Sequence, residues 1–170
     1  MNDVLGSISE FSIGLAGFSG VVAALLQRNQ DLKEIDRLRV TINVVVALTP
    51  GIWALVFLAL IEMEASFESV VRWISTGVLV SSLGLVALTR RMRGQLPEEQ
   101  KGQFNPLVTR IVISITVVSV ALNVYNIVIL PPAASGILAL VLVLYLVQAG
   151  SMFAGLLWGL MGNADASSET

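Results

Sequence analysis

Residues 111–164 contain no Asp, Glu, Lys or Arg, a charge-free run of 54 residues. A water-soluble domain carries charge at about a quarter of its positions, because its surface must face water. Crossing the hydrocarbon core of a bilayer takes about 20 apolar residues in a helix. The run therefore holds two crossings and a turn. Pro131-Pro132 followed by Ala-Ala-Ser-Gly supplies that turn, since adjacent prolines remove two backbone donors and stop a helix. Further uncharged runs at 11–27, 40–61 and 73–89 add three more crossings. With 55% hydrophobic and 13% charged residues, little chain is left for a soluble part.

The expected fold is an all-α integral membrane bundle of five transmembrane helices, at about 4–26, 40–61, 70–89, 107–130 and 137–161. Together they form a single unit over 1–163, followed by an acidic tail, 164–170, expected to be disordered. The alternative is four spans with a re-entrant or interfacial N-terminal helix, because Glu10 and four glycines weaken the first span. That first segment has no basic n-region, carries Asp3 and Glu10, and is read as a retained helix rather than a leader. Asp31 with Glu34 resembles a capping box for the second helix. Asn105-Pro106 offers a cap and an N1 proline for the fourth.

Nine of the ten basic residues fall in or beside the first and third connections: Arg28, Lys33, Arg37, Arg39, Arg90, Arg91, Arg93, Lys101 and Arg110. The second connection carries Glu62, Glu64 and Glu68, with Arg72 the remaining base. The positive-inside bias thus predicts cytoplasmic first and third connections, an outside N-terminus and a cytoplasmic C-terminus, in a bacterial plasma (inner) membrane. Trp73 and Trp158 lie near span ends, where amphipathic rings prefer to sit.

Cysteine and histidine are both absent, which removes disulfides, thiol catalysis and the usual zinc or haem ligands. Neither lysine lies within a span, so no Schiff base can form inside the bundle. There is no serine elbow, phosphate loop, paired carboxylates on one helix face or metal-ligand cluster. The expectation is a non-enzyme without cofactor or metal. Nucleic-acid binding lacks its basic, base-stacking surface.

Polar residues inside the spans carry what functional signal there is. On the first helix Glu10 shares an arc of roughly 120° with Gly6, Gly14, Gly17, Gly20 and Ala24. An intramembrane acid marks a water-filled or ion-binding place, or else pairs with a neighbour near the headgroups. On the fourth helix Thr116, Ser119, Asn123 and Asn126 share about 80°. Such a stripe must face protein or water, since lipid would leave the amides unsatisfied. Asn43 and Gln148 complete the set of pore or solute-contact candidates.

Gly14, Gly17 and Gly20, with Gly77, Ser81, Gly84, Gly155 and Gly159, form small faces of the kind that let helices approach closely in lipid. Pro50-Gly51, in the middle of the second helix, is a candidate kink or hinge, because Pro50 leaves the Val46 carbonyl without its usual donor. Glu68 and Arg72 stand four residues apart in the favourable order for an ion pair, and Glu10 is a second possible counter-ion for Arg72. Two functions follow. One is an oligomeric channel or transport unit passing ions or small polar solutes. The alternative is a non-catalytic accessory or scaffolding subunit that acts through helix packing. Its expected partners are the lipid bilayer and either another copy of itself or another membrane subunit.

Overall fold

The computed structural model describes the backbone of residues 2–28, 34–101 and 106–167, and side chains of 3–22, 24, 35–100 and 106–158. Among them five long helices, α1 (Asn2–Arg28), α2 (Glu34–Glu62), α3 (Phe67–Gln95), α5 (Pro106–Ile129) and α6 (Ala134–Ser167), are joined by a one-turn helix α4 (Glu98–Lys101). All five are long and apolar enough to span a membrane. The chain is an all-α membrane bundle.

Four helices close a ring in which α2 neighbours α3, α3 neighbours α5, α5 neighbours α6 and α6 returns to α2. α1 lies outside the ring against α2 and, to a lesser degree, α6. It is one unbroken helix, about 40 Å long at 1.5 Å per residue. It runs antiparallel to α2, with Ser19 against Asn43 and Ser12 against Gly51. The re-entrant alternative is therefore set aside.

The helices outrun the apolar runs that predicted them. α2 begins six residues earlier than expected and α3 continues through Arg90, Arg91 and Arg93 to Gln95. The length criterion finds only what hydrocarbon must cover, while a helix can continue into water wherever its residues favour it. α6 likewise runs on to Ser167, into the stretch expected to be a disordered tail; 168–170 lie outside the described residues, as do Asp31 and Asn105 of the expected caps. Pro106 is the first residue of α5, as an N1 proline would be.

Turn chemistry explains the short connection after α2. Glu64 takes a positive φ of 59°, the Ala65 N–H donates to the Leu60 carbonyl and the Glu64 N–H to that of Ile61. These two bonds are the Schellman pattern, which satisfies carbonyls a helix end leaves bare. At the other end of the bundle Leu96 is buried and Gln100 Oε1 accepts from the Ile35 N–H at 3.2 Å. The third connection thereby caps the start of α2.

Burial is uneven along the ring. The buried residues of α3 run from Val70 to Ser82 and stop there; those of α5 are Ser119, Asn123 and Asn126, all in its second half. Because α3 and α5 are antiparallel, both are buried at the end bearing Glu62, Glu64 and Glu68. Phe57, Ile74, Val78, Leu138 and Leu142 fill that half. Toward the arginine-bearing end the ring opens.

Candidate functional site

α5 has an inverted pattern. Each of its buried residues is polar, while Ile113, Val117, Val124 and Val128 are exposed. A helix in lipid gains nothing by hiding aliphatic side chains, so apolar residues can face out while the amides turn to protein. This explains why the Thr116, Ser119, Asn123 and Asn126 stripe points into the ring. α3 adds Ser75 and Ser82, one heptad apart, and α6 adds Tyr145 and Gln148, one turn apart; all four are buried.

The bonds of this interior are specific. Asn126 Nδ2 donates to the Ala134 carbonyl at 2.9 Å and to Ser75 Oγ at 3.4 Å. Asn123 Nδ2 donates to the Ser119 carbonyl at 2.9 Å. Ser82 and Tyr145 share a hydroxyl–hydroxyl bond between α3 and α6. Ser119 Oγ, Asn123 Oδ1 and Asn126 Oδ1 have no protein partner, although each residue is at most 1% exposed. Leaving a buried acceptor unpaired costs about 1–3 kcal/mol. The acidic half of the ring is therefore closed but polar, with three idle acceptors along one helix.

Beyond this row, at the arginine-bearing end, lies a cavity of about 630 Å³ between α2, α3, α5 and α6. Ser82, Tyr145, Thr116 and Gln148 line its deep part, and Arg39, Arg90 and Arg93 its mouth. Arg39 also bonds Asp36 at 3.2 Å. These arginines come from α2 and from the end of α3, so the first and third connections meet at one end of the bundle. Most of the remaining wall is aliphatic, including Val46 of α2 and Leu85 of α3.

The solute-contact candidates therefore divide. Thr116 and Gln148 line the cavity, and Ser119, Asn123 and Asn126 continue the same α5 face beneath it. Glu10 does not join them: it is exposed on the outer side of α1. Asn43 faces α1, where its Nδ2 donates to Ser19 Oγ at 3.2 Å and its Oδ1 is unpartnered.

The small faces divide too. Trp53 lies over Gly77, where a Cβ would collide with its ring, and its Nε1 donates to Ser81 Oγ at 3.1 Å. Gly155 meets Val108 of α5. Gly14, Gly17, Gly20 and Gly84 instead face outward, with nothing within 4 Å of an added Cβ. α1 packs through Leu5, Ile8, Ser9, Ser12, Ala16 and Ser19, not through its glycines. Its serines suit that role because they are small and self-satisfied: Ser12 Oγ donates to the Ile8 carbonyl and Ser19 Oγ to that of Leu15. The Gly159 side of α6 lies outside the described residues.

α2 passes through Pro50 as a single helix. Beside it α1 packs closely on Gly51, where an added Cβ would stand 2.7 Å from Ser12 Cβ. Close packing thus accounts for that glycine without a hinge. Glu68 and Arg72 are both exposed and form no ion pair with each other, nor does Arg72 reach Glu10. In water an exposed pair gains little over two separately solvated side chains.

Sequence reasoning missed the Ser82–Tyr145 bond and the place of Arg90 and Arg93 on a cavity. The signals were available: Ser75 and Ser82 repeat at seven residues, and Tyr145 stands one turn before Gln148. Among the described residues no cluster of acidic side chains could hold a metal. In comparisons with known proteins the chain matches no family model, no curated sequence and no solved structure.

Proposed function

We propose that the chain is a small membrane transport unit that admits a polar or charged solute at its arginine-bearing end and passes it along the inner face of α5. The observation that carries this reading is the continuity of that face. Thr116 lines the cavity, and Ser119, Asn123 and Asn126 extend the stripe toward the acidic end with three acceptors unpaired. Buried polar groups in a membrane interior mark solute routes, because pure packing seldom leaves acceptors idle. A bundle open at one end and closed at the other is one half of an alternating-access cycle. By the positive-inside bias the open end faces the cytoplasm of a bacterial inner membrane, with the N-terminus outside.

Proteoliposomes test this directly. Uptake of small inorganic ions and short-chain anions is compared for the parent and for Thr116→Leu with Gln148→Leu. Uptake above protein-free vesicles in the parent, lost in the double variant, is expected. A parent no more permeable than empty vesicles across the set overturns the reading.

A second reading rests on a separate observation, the outward glycine face of α1. Gly14, Gly17 and Gly20 offer a smooth surface to another helix, which suits association with a second copy or a different membrane subunit. The accessory role needs only this face; the transport role uses the interior.

A further inference from the structure

The cavity at the arginine-bearing end has more to say about its occupant than the polar row below it. Its volume, about 630 Å³, falls within the range of roughly 300–1,000 Å³ typical of small-molecule sites. Three arginines line it and, among the described residues, no carboxylate does. Val86, Ile113 and Val117 line it while also being exposed on the outside of the bundle. The cavity thus opens sideways between α3 and α5, where those helices face lipid. Its deep polar groups are largely engaged already: Thr116 Oγ donates to the Val112 carbonyl, and Ser82 and Tyr145 bond each other. Such a space suits an aliphatic chain better than a fully hydrated ion.

We propose that this cavity binds an anionic amphiphile, with one alkyl chain along the aliphatic walls and a phosphate-bearing head at the arginine mouth. Guanidinium groups present forked donors that match phosphate oxygens, and they hold their charge at every physiological pH. Arg39 is partly neutralised by Asp36, whereas Arg90 supplies a guanidinium to the same mouth from the end of α3. The chain enters through the α3–α5 opening, and the head stays at interfacial depth, so no charge is moved into hydrocarbon. The proposal goes beyond the transport reading by naming what binds at the entrance, and it rests on that reading only for the cavity as the place of entry.

The chain has no cysteine, so Thr116→Cys gives a single reporter inside the cavity. Its labelling by a water-soluble maleimide is followed in uncharged maltoside micelles. Dodecyl phosphate, inorganic phosphate and dodecanol are added in separate samples. Protection of at least fivefold by dodecyl phosphate, with little from either other compound, is expected. Introducing Arg90→Gln into the reporter should weaken that protection about tenfold in the concentration required. Val117→Trp, which fills the side opening and leaves every charge in place, should abolish it.

Equal protection by inorganic phosphate overturns the amphiphile in favour of a free anion, and equal protection by dodecanol removes the role of the arginines. Labelling that is rapid and unprotected by any compound overturns the amphiphile while leaving a water-filled route intact. Absence of labelling under all conditions overturns both, because the cavity is then closed.

Discussion

Asn126 donates its side-chain amide to the carbonyl oxygen of Ala134 at 2.9 Å, tying the last turn of α5 to the first turn of α6 across the Pro131-Pro132 turn. The same amide reaches Ser75 of α3 at 3.4 Å, so one residue links three helices at the acidic end. Its oxygen remains unpaired. A residue that the sequence places against either protein or water thus holds the closed end together.

Replacing it should show that structural share. Asn126→Leu should lower stability by about 0.5–2 kcal/mol, the span of polar contacts between helices in a membrane setting. Reversible unfolding by sodium dodecyl sulfate in mixed micelles measures this. An unchanged midpoint would mean that the Ala134 bond contributes nothing.

Gly77 and Gly84 make a matched pair on α3, one under the Trp53 ring and one facing open space. Gly77→Ala should cost about 1–3 kcal/mol, because the ring must move and the Trp53–Ser81 bond with it. Gly84→Ala should be neutral or stabilising by a few tenths of a kcal/mol, up to about 1, from helix propensity. The same unfolding assay separates them, and equal losses would contradict the packing.

At Glu64 the backbone sits in the left-handed region, where a Cβ is unfavourable. Glu64→Gly should therefore stabilise the chain by about 0.5–1 kcal/mol, because the Schellman bonds stay in place while the strain is removed. A rise in thermal midpoint checks it; a fall would assign Glu64 a role its exposure does not suggest.

Glu10 tests where the route runs. It stands exposed on the outer side of α1, away from the cavity. Glu10→Gln should leave proteoliposome uptake within about twofold of the parent, a change of under roughly 0.5 kcal/mol by the usual rate arithmetic. Loss of uptake would move the route to α1. Gly17→Leu should reduce disulfide-free cross-linking between copies if α1 mediates association, without altering the monomer's unfolding.

The number of spans was legible because hydrocarbon imposes a length, and the 54-residue uncharged run admitted little else. The α5 stripe was legible because asparagines cannot face lipid. Which small face a helix uses was not. On α1 the glycines and the serines both looked able to pack, and the choice fell to the serines through the shape of α2 at Gly51. The place of Glu10 was not legible for a related reason: an acid's cost depends on its depth and neighbours, and neither can be read along one helix. The cavity was hidden because it arises where α3 and α5 part, a property of pairs of helices.

Labelling of Asn123→Cys from each side of sealed, oriented vesicles by a membrane-impermeant thiol reagent tests the central claim most directly, in a chain that brings no cysteine of its own. Asn123 lies beyond the cavity on the closed side, fully buried. A route that alternates between faces predicts modification from the arginine-bearing side and, in a separate sample, from the acidic side, each at a rate well above that of a fully packed core position such as Leu142→Cys. Modification from neither side, at a rate equal to that of Leu142→Cys, would show a dry interior and contradict the account.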